Sequence, residues 1–239
     1  MYNGFIKLLL AFILCSCVQQ ESLNSKNVNV EPAADSATID IDSLYARLSK
    51  EKRINYKEIP GQFNYIKSDE KSGRYLAKFI GRNMGKEINY ISYGNNKNDT
   101  IIWGNHAIDI KSKLDPTSIN IYEFEVEARG YIVFIGKGQS ASGSGGQITF
   151  FVLLELDNKR NLLITREFES RFGSVNSLLD LNQDGTLDYI KIINSKKEDE
   201  YLLTVHTVNS NQNIGKGMML LKYVLNDKFS ILENTLVDL

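Results

Sequence analysis

Four oxygen-bearing side chains recur at short intervals in Asp180-Leu181-Asn182-Gln183-Asp184-Gly185-Thr186-Leu187-Asp188-Tyr189: Asp180, Asn182, Asp184 and Asp188. Along a tight loop, alternate spacing turns the first three toward one centre. Gly185 lets the backbone turn sharply without a Cβ clash, so the carbonyl of Thr186 can face inward too. Three carboxylates packed this closely repel one another unless something neutralises them. A hard cation such as Ca²⁺ takes six to eight oxygens at about 2.3–2.6 Å. These five residues offer that chemistry. The competing arrangement is a solvated hairpin whose Asp and Asn side chains cap their own backbone.

The first nine positions match an EF-hand loop, but the twelfth, where an EF-hand places a bidentate Glu, is Lys191. Residues 189–193 are rich in β-branched side chains and read as a strand rather than an exiting helix. A D-x-N-x-D-G-x-x-D-Y loop running into a strand resembles the calcium loops of FG-GAP and VCBS-type repeats. Arg171-Phe172-Gly173-Ser174 and Leu179 resemble the lead-in to such a repeat, so the likeness covers about residues 170–232. The resemblance implies that the loop begins a β-propeller blade and that Asp188 replaces the missing Glu. It implies no substrate.

Other constellations carry less. Gly136-Lys137-Gly138-Gln139-Ser140-Ala141-Ser142-Gly143-Ser144-Gly145-Gly146 lacks the Lys-Ser/Thr pair of a P-loop and leads into a strand. None of its serines has glycines two residues before and two after, so it is no nucleophile elbow. It reads as a long hairpin loop, with a ligand-contacting loop as the alternative. The two histidines, His106 and His206, are one hundred residues apart and too few for a histidine-rich zinc site. Glu123, Glu125 and Glu127 alternate along one strand and read as a solvated face, since catalytic carboxylates oppose each other across a cleft. No catalytic residue is assigned.

The chain opens with an export signal over residues 1–16. Lys7 supplies the charge, and Leu8-Leu9-Leu10-Ala11-Phe12-Ile13-Leu14 is an apolar core too short to span a bilayer. Leu14-Cys15-Ser16-Cys17 resembles the bacterial lipobox, which implies a lipid on Cys17. Cys15 fits badly, because it would put bulky Leu14 at the cleavage position. Both cysteines lie here, so the mature domain holds no disulfide and no thiol chemistry. Val18 after the lipidated residue implies, by the same resemblance, sorting to the outer membrane. Residues 17–37 are polar and aperiodic, a disordered tether with a reach of about 25 Å. Lys and Arg number 28 against 29 acids, so no basic surface points to nucleic acid.

Ile41, Leu44, Tyr45 and Leu48 follow helical spacing, with Asp40 or Asp42 as cap, and predict one short amphipathic helix ending near Lys52. Beyond it, aromatic and β-branched runs alternate with Gly, Asn, Asp and Ser clusters. Strands are predicted at 63–67, 74–80, 87–93, 100–103, 119–127, 131–135, 147–156, 162–168, 187–193, 201–208, 218–225 and 229–232. The fold class is mainly β, built from antiparallel meanders with a blade-like architecture, either a partial β-propeller or a sandwich. At most about four blades fit, and residues 187–232 make one. The domain runs over 38–239. The expected protein is a lipid-anchored protein of the cell envelope, with the membrane and a glycan or protein ligand as partners. It carries structural Ca²⁺ and acts as a non-enzymatic binding or scaffold module. The alternative is a calcium-stabilised hydrolase acting on a glycan or peptide.

Overall fold

The computed structural model describes residues 38–49, 54–69, 74–83, 86–93, 98–138, 147–181, 183–209 and 217–236, with side chains of 62–87 excepted. The signal segment 1–16, the tether 17–37 with Cys17, most of the Gly/Ser loop and Asn182 lie outside the described residues.

Among the described residues the fold is mainly β, with antiparallel sheets and one α-helix. Strand β1 (Ile39–Asp40) leads directly into α1 (Ile41–Leu48). Asp40 caps α1, its Oδ1 accepting the Ser43 N–H at 2.8 Å. The helix buries Leu44 and Tyr45 and ends at Leu48, short of the predicted Lys52, where Ser49 N–H closes the last turn on the Tyr45 carbonyl.

Strands β2 (Lys57–Glu58), β3 (Gly61–Asp69), β4 (Arg74–Asn83), β5 (Lys86–Tyr93), β6 (Asp99–Trp103) and β7 (His106–Ile110) follow. Next come β8 (Asn120–Val126), β9 (Arg129–Lys137), β10 (Ile148–Leu156) and β11 (Leu162–Arg171). The chain then forms β12 (Leu178–Leu179), β13 (Asp188–Asn194), β14 (Glu200–Thr207), β15 (Met219–Leu225) and β16 (Lys228–Asn234).

They make three meanders. The outer sheet runs β3-β4-β5-β6-β7, the central sheet β11-β10-β9-β8-β2, and the terminal sheet β1-β16-β15-β14-β13-β12. Two pairings depart from chain order: β1 joins β16 and β2 joins β8. Both stitch the segment around α1 to strands made much later.

The central sheet is covered on both faces. Ile121, Ile132, Phe134, Val152 and Leu154 pack with Ile88, Tyr90, Ile101 and Trp103 of the outer sheet. Phe124, Tyr131, Val133, Phe151 and Leu153 pack on the other side with Leu178, Leu187 and Tyr189 of the terminal sheet. This explains why β9 and β10 read as nearly unbroken apolar runs rather than alternating ones. The other side of the terminal sheet, with Ile190, Leu203, Leu221 and Phe229, receives Leu44 and Tyr45 of α1.

The central position also corrects one expectation. The face of β8 that carries the three glutamates is solvated only in part: Glu125 and Glu127 are exposed, whereas Glu123 is buried next to Ile121 and paired with Arg160 at 2.7 Å.

Candidate metal centre

The motif around Asp180 is the hairpin loop between β12 and β13. Leu178 pairs with Tyr189 and Leu179 with Asp188, so the loop leaves and re-enters the same edge of the terminal sheet. Residues 188–194 form a strand, as their β-branched content predicts. Two apolar residues pin the loop: Leu181 sinks into the cluster beneath α1, and Leu187 into the cluster shared with the central sheet. Val208 N–H, donated to the Leu187 carbonyl at 2.9 Å, ties the loop to the end of β14.

Between these pins the backbone folds on its own carboxylates. Asp180 Oδ2 accepts the Gly185 N–H at 3.1 Å, Asp184 Oδ1 the Thr186 N–H at 2.7 Å, and Asp188 Oδ2 the Leu181 N–H at 3.1 Å. Gln183 and Gly185 take positive φ, 58° and 79°, which makes the tight curl. These are the self-capping bonds of a solvated hairpin, but the site is only half solvated. Asp188 is 1% exposed, and Asp180 Oδ1 is buried without a hydrogen-bond partner. Burial pushes the Asp188 carboxyl up to about 7; the Leu181 N–H opposes this, and the charges of Asp184 and Asp180 add to it.

The fold therefore brings Asp180, Asp184 and Asp188 into one electrostatic neighbourhood, with Thr186 in the same turn. Among the described residues, no three His, Cys, Asp or Glu side chains stand close enough together to hold a metal ion as placed. Each Asp has turned one oxygen to a backbone N–H instead. The donor set is all oxygen, of the kind a hard cation takes, and the orphaned Asp180 Oδ1 is a lone pair such a cation would satisfy.

One neighbour was not legible in the motif. Glu127, in the β8–β9 turn of the central sheet, lays its carboxylate over Gly185. A Cβ at Gly185 would stand 2.5 Å from Glu127 Oε2 and 2.8 Å from Oε1. Glu127 holds φ at 52°, a left-handed conformation unusual outside glycine.

The other candidates scatter. His106 is exposed at the start of β7, and His206 on β14 stacks beside Tyr189 and meets Thr204 Oγ1 at 2.9 Å. The Gly/Ser stretch connects β9 to β10, whose paired ends meet at Lys137 and Thr149. Two cavities open elsewhere. One of about 250 Å³ lies between α1 and residues 176–179, lined by Asp42, Ser49, Tyr56 and Asn176. The other, of about 260 Å³, is lined by Arg166, Glu167, Phe168, Tyr189 and Asn209. Its Glu167 carboxylate is already held by the Lys111 and Ser112 N–H groups at 2.9 and 2.7 Å. Compared with protein-family models, curated proteins and solved structures, the chain matches none significantly.

Proposed function

We propose that the chain is a lipid-anchored envelope protein whose β domain is a non-enzymatic binding or scaffold module, with Ca²⁺ held structurally in the 180–188 loop. Asp180, Asn182, Asp184 and Asp188 serve the ion by side chain and Thr186 by its carbonyl. Bound there, calcium supplies positive charge and no reaction. One observation carries this reading. Of the buried carboxylates, Asp99, Glu123 and Glu155 each have a Lys or Arg nitrogen within 3.0 Å, while Asp188 has none among the described residues. A buried, uncompensated carboxylate beside two others is costly, and a bound cation is the remedy the loop's spacing offers. The likeness to FG-GAP and VCBS-type loops points the same way.

The anchor rests on the lipobox-like Leu14-Cys15-Ser16-Cys17 and the polar stretch behind it. It places the domain at the membrane, on the outer membrane of a bacterial envelope, facing a glycan or protein ligand. Among the described residues, each of these two cavities has a single acidic residue in its lining, Asp42 in one and Glu167 in the other.

Thermal unfolding of the full-length protein tests the calcium assignment. Extracellular calcium modules bind at about 10⁻⁴–10⁻³ M. At ten times the dissociation constant the ion stabilises the fold by about 1.4 kcal/mol. The melting temperature is expected to drop on chelation and to ignore calcium in Asp184→Ala. Absence of any shift or calorimetric binding at millimolar calcium rejects the assignment. For the anchor, metabolic fatty-acid labelling is expected to be lost in Cys17→Ser and kept in Cys15→Ser. Label retained by Cys17→Ser would place the lipid elsewhere.

A further inference from the structure

An EF-hand completes its cage with a glutamate at the twelfth loop position, which here is Lys191. We infer that Glu127, from the β8–β9 turn, supplies the glutamate in space that the loop lacks in sequence, so that the cation bridges the central and terminal sheets. The inference rests on the calcium reading of the 180–188 loop and adds a ligand from 58 residues upstream of Gly185.

The geometry at Gly185 is its ground. Asp180 Oδ2 accepts the Gly185 N–H, while the Glu127 carboxylate occupies the space a Cβ would fill on the same residue. Two carboxylates from two sheets thus converge on one glycine. Asp180 Oδ1 is buried there without a hydrogen-bond partner. Among the described residues the Glu127 side chain has neither an ion pair nor a hydrogen bond. Its neighbours on β8 differ, since Arg160 reaches Glu123 at 2.7 Å and Glu125 at 3.1 Å. A fourth carboxylate laid against the glycine of this acidic loop adds negative charge to it, which a cation drawn in between would offset. Glycine at 185 is what admits it, because any side chain there would displace the Glu127 carboxylate.

The test is calcium titration by calorimetry of full-length wild type and Glu127→Gln, which keeps the shape and removes the charge. Since ligand charge sets calcium affinity, the dissociation constant is expected to rise about tenfold in the variant. Glu127 is exposed, so the variant is expected to fold, and an unchanged melting temperature in chelator checks it. Hydrogen exchange gives a second readout: calcium is expected to slow exchange at the β8–β9 turn in wild type but not in Glu127→Gln. If both proteins bind calcium equally and the turn exchanges alike, Glu127 is only a packing neighbour and the inference fails, with the loop assignment intact. If wild type itself binds no calcium, the loop assignment fails and takes this inference with it.

Discussion

The central sheet and the 180–188 loop treat a buried carboxylate in opposite ways. Glu123 and Glu155, 7% and 5% exposed, each receive an arginine at 2.7 Å, Arg160 and Arg129. Asp99, fully buried in the outer sheet, receives Lys113 at 3.0 Å and the Tyr90 hydroxyl at 2.6 Å. Asp188 is as deep and, among the described residues, receives only a backbone N–H, with like charges for company. Where the chain buries an acid for architecture alone, it supplies the counter-charge itself. At the loop it supplies more acid. The difference separates a finished ion pair from an acid left without a counter-charge among the described residues, and under the calcium proposal it is the loop whose stability depends on what the solution holds.

The comparison breaks most readily on its paired side. Arg160→Met leaves Glu123 buried beside an apolar chain, and removing one partner of a buried pair costs about 3 kcal/mol or more. For a domain of this size that lowers the melting temperature by about 6–12 °C. The drop is expected to be the same with and without calcium. Arg129 is more exposed than Arg160, and Arg129→Met is expected to cost less, about 1 kcal/mol. Equal, negligible losses at both would show that these pairs do not hold the central sheet.

The unpaired side responds with the opposite sign. In calcium-free protein, Asp188→Asn removes an uncompensated charge while an amide oxygen can still accept the Leu181 N–H. It is expected to stabilise the fold by about 1–2 kcal/mol at pH 8. The pH course follows from the same carboxyl. Below about pH 4 it is protonated folded and unfolded alike. Between about 4 and about 7 the folded state alone keeps the proton, so stability falls as pH rises through that window. Chemical denaturation in chelator at pH 4, 6 and 8 reads this slope, which Asp188→Asn is expected to flatten. A variant less stable than wild type at pH 8 without calcium would mean that the buried charge is compensated after all.

Much of this architecture is legible in local chemistry. The spacing of Ile41, Leu44, Tyr45 and Leu48 and the Asp40 cap define α1, and the predicted strands from 63 onward all have a counterpart. The two-residue strands β1, β2 and β12 left no signal, because such pairings are set by a distant partner rather than by their own side chains. β7 did leave one: Gly104-Asn105 between Trp103 and His106 is a two-residue hairpin turn, with Gly104 at φ 56°. The loop's four acidic or amide positions announce oxygen chemistry by spacing alone. Glu127 could not be found that way. Its alternation with Glu123 and Glu125 describes a strand face, and only the stacking of the central sheet decides that one member is buried, one is paired, and one leans on Gly185. A period of two tells which residues share a face; it does not tell what that face meets.

The Tyr45 hydroxyl donates to the Phe172 carbonyl, 127 residues away, and the Tyr56 hydroxyl to the Leu178 carbonyl, 122 residues away. Ile39 pairs with Phe229. The helix made first among these elements therefore rests on residues made much later, from Phe172 to Phe229. Closing so long a stretch of chain is entropically slow, and contacts of high sequence separation form late. A ribosome releasing this chain in order would hand over α1 unsatisfied, with Leu44 and Tyr45 exposed until the strands of the terminal sheet emerge. Docking of the segment around α1 is thus a late event, set by assembly of the terminal sheet. A chain broken off before Phe229 would keep its outer and central meanders but lose β16, leaving β1 unpaired and open to proteases.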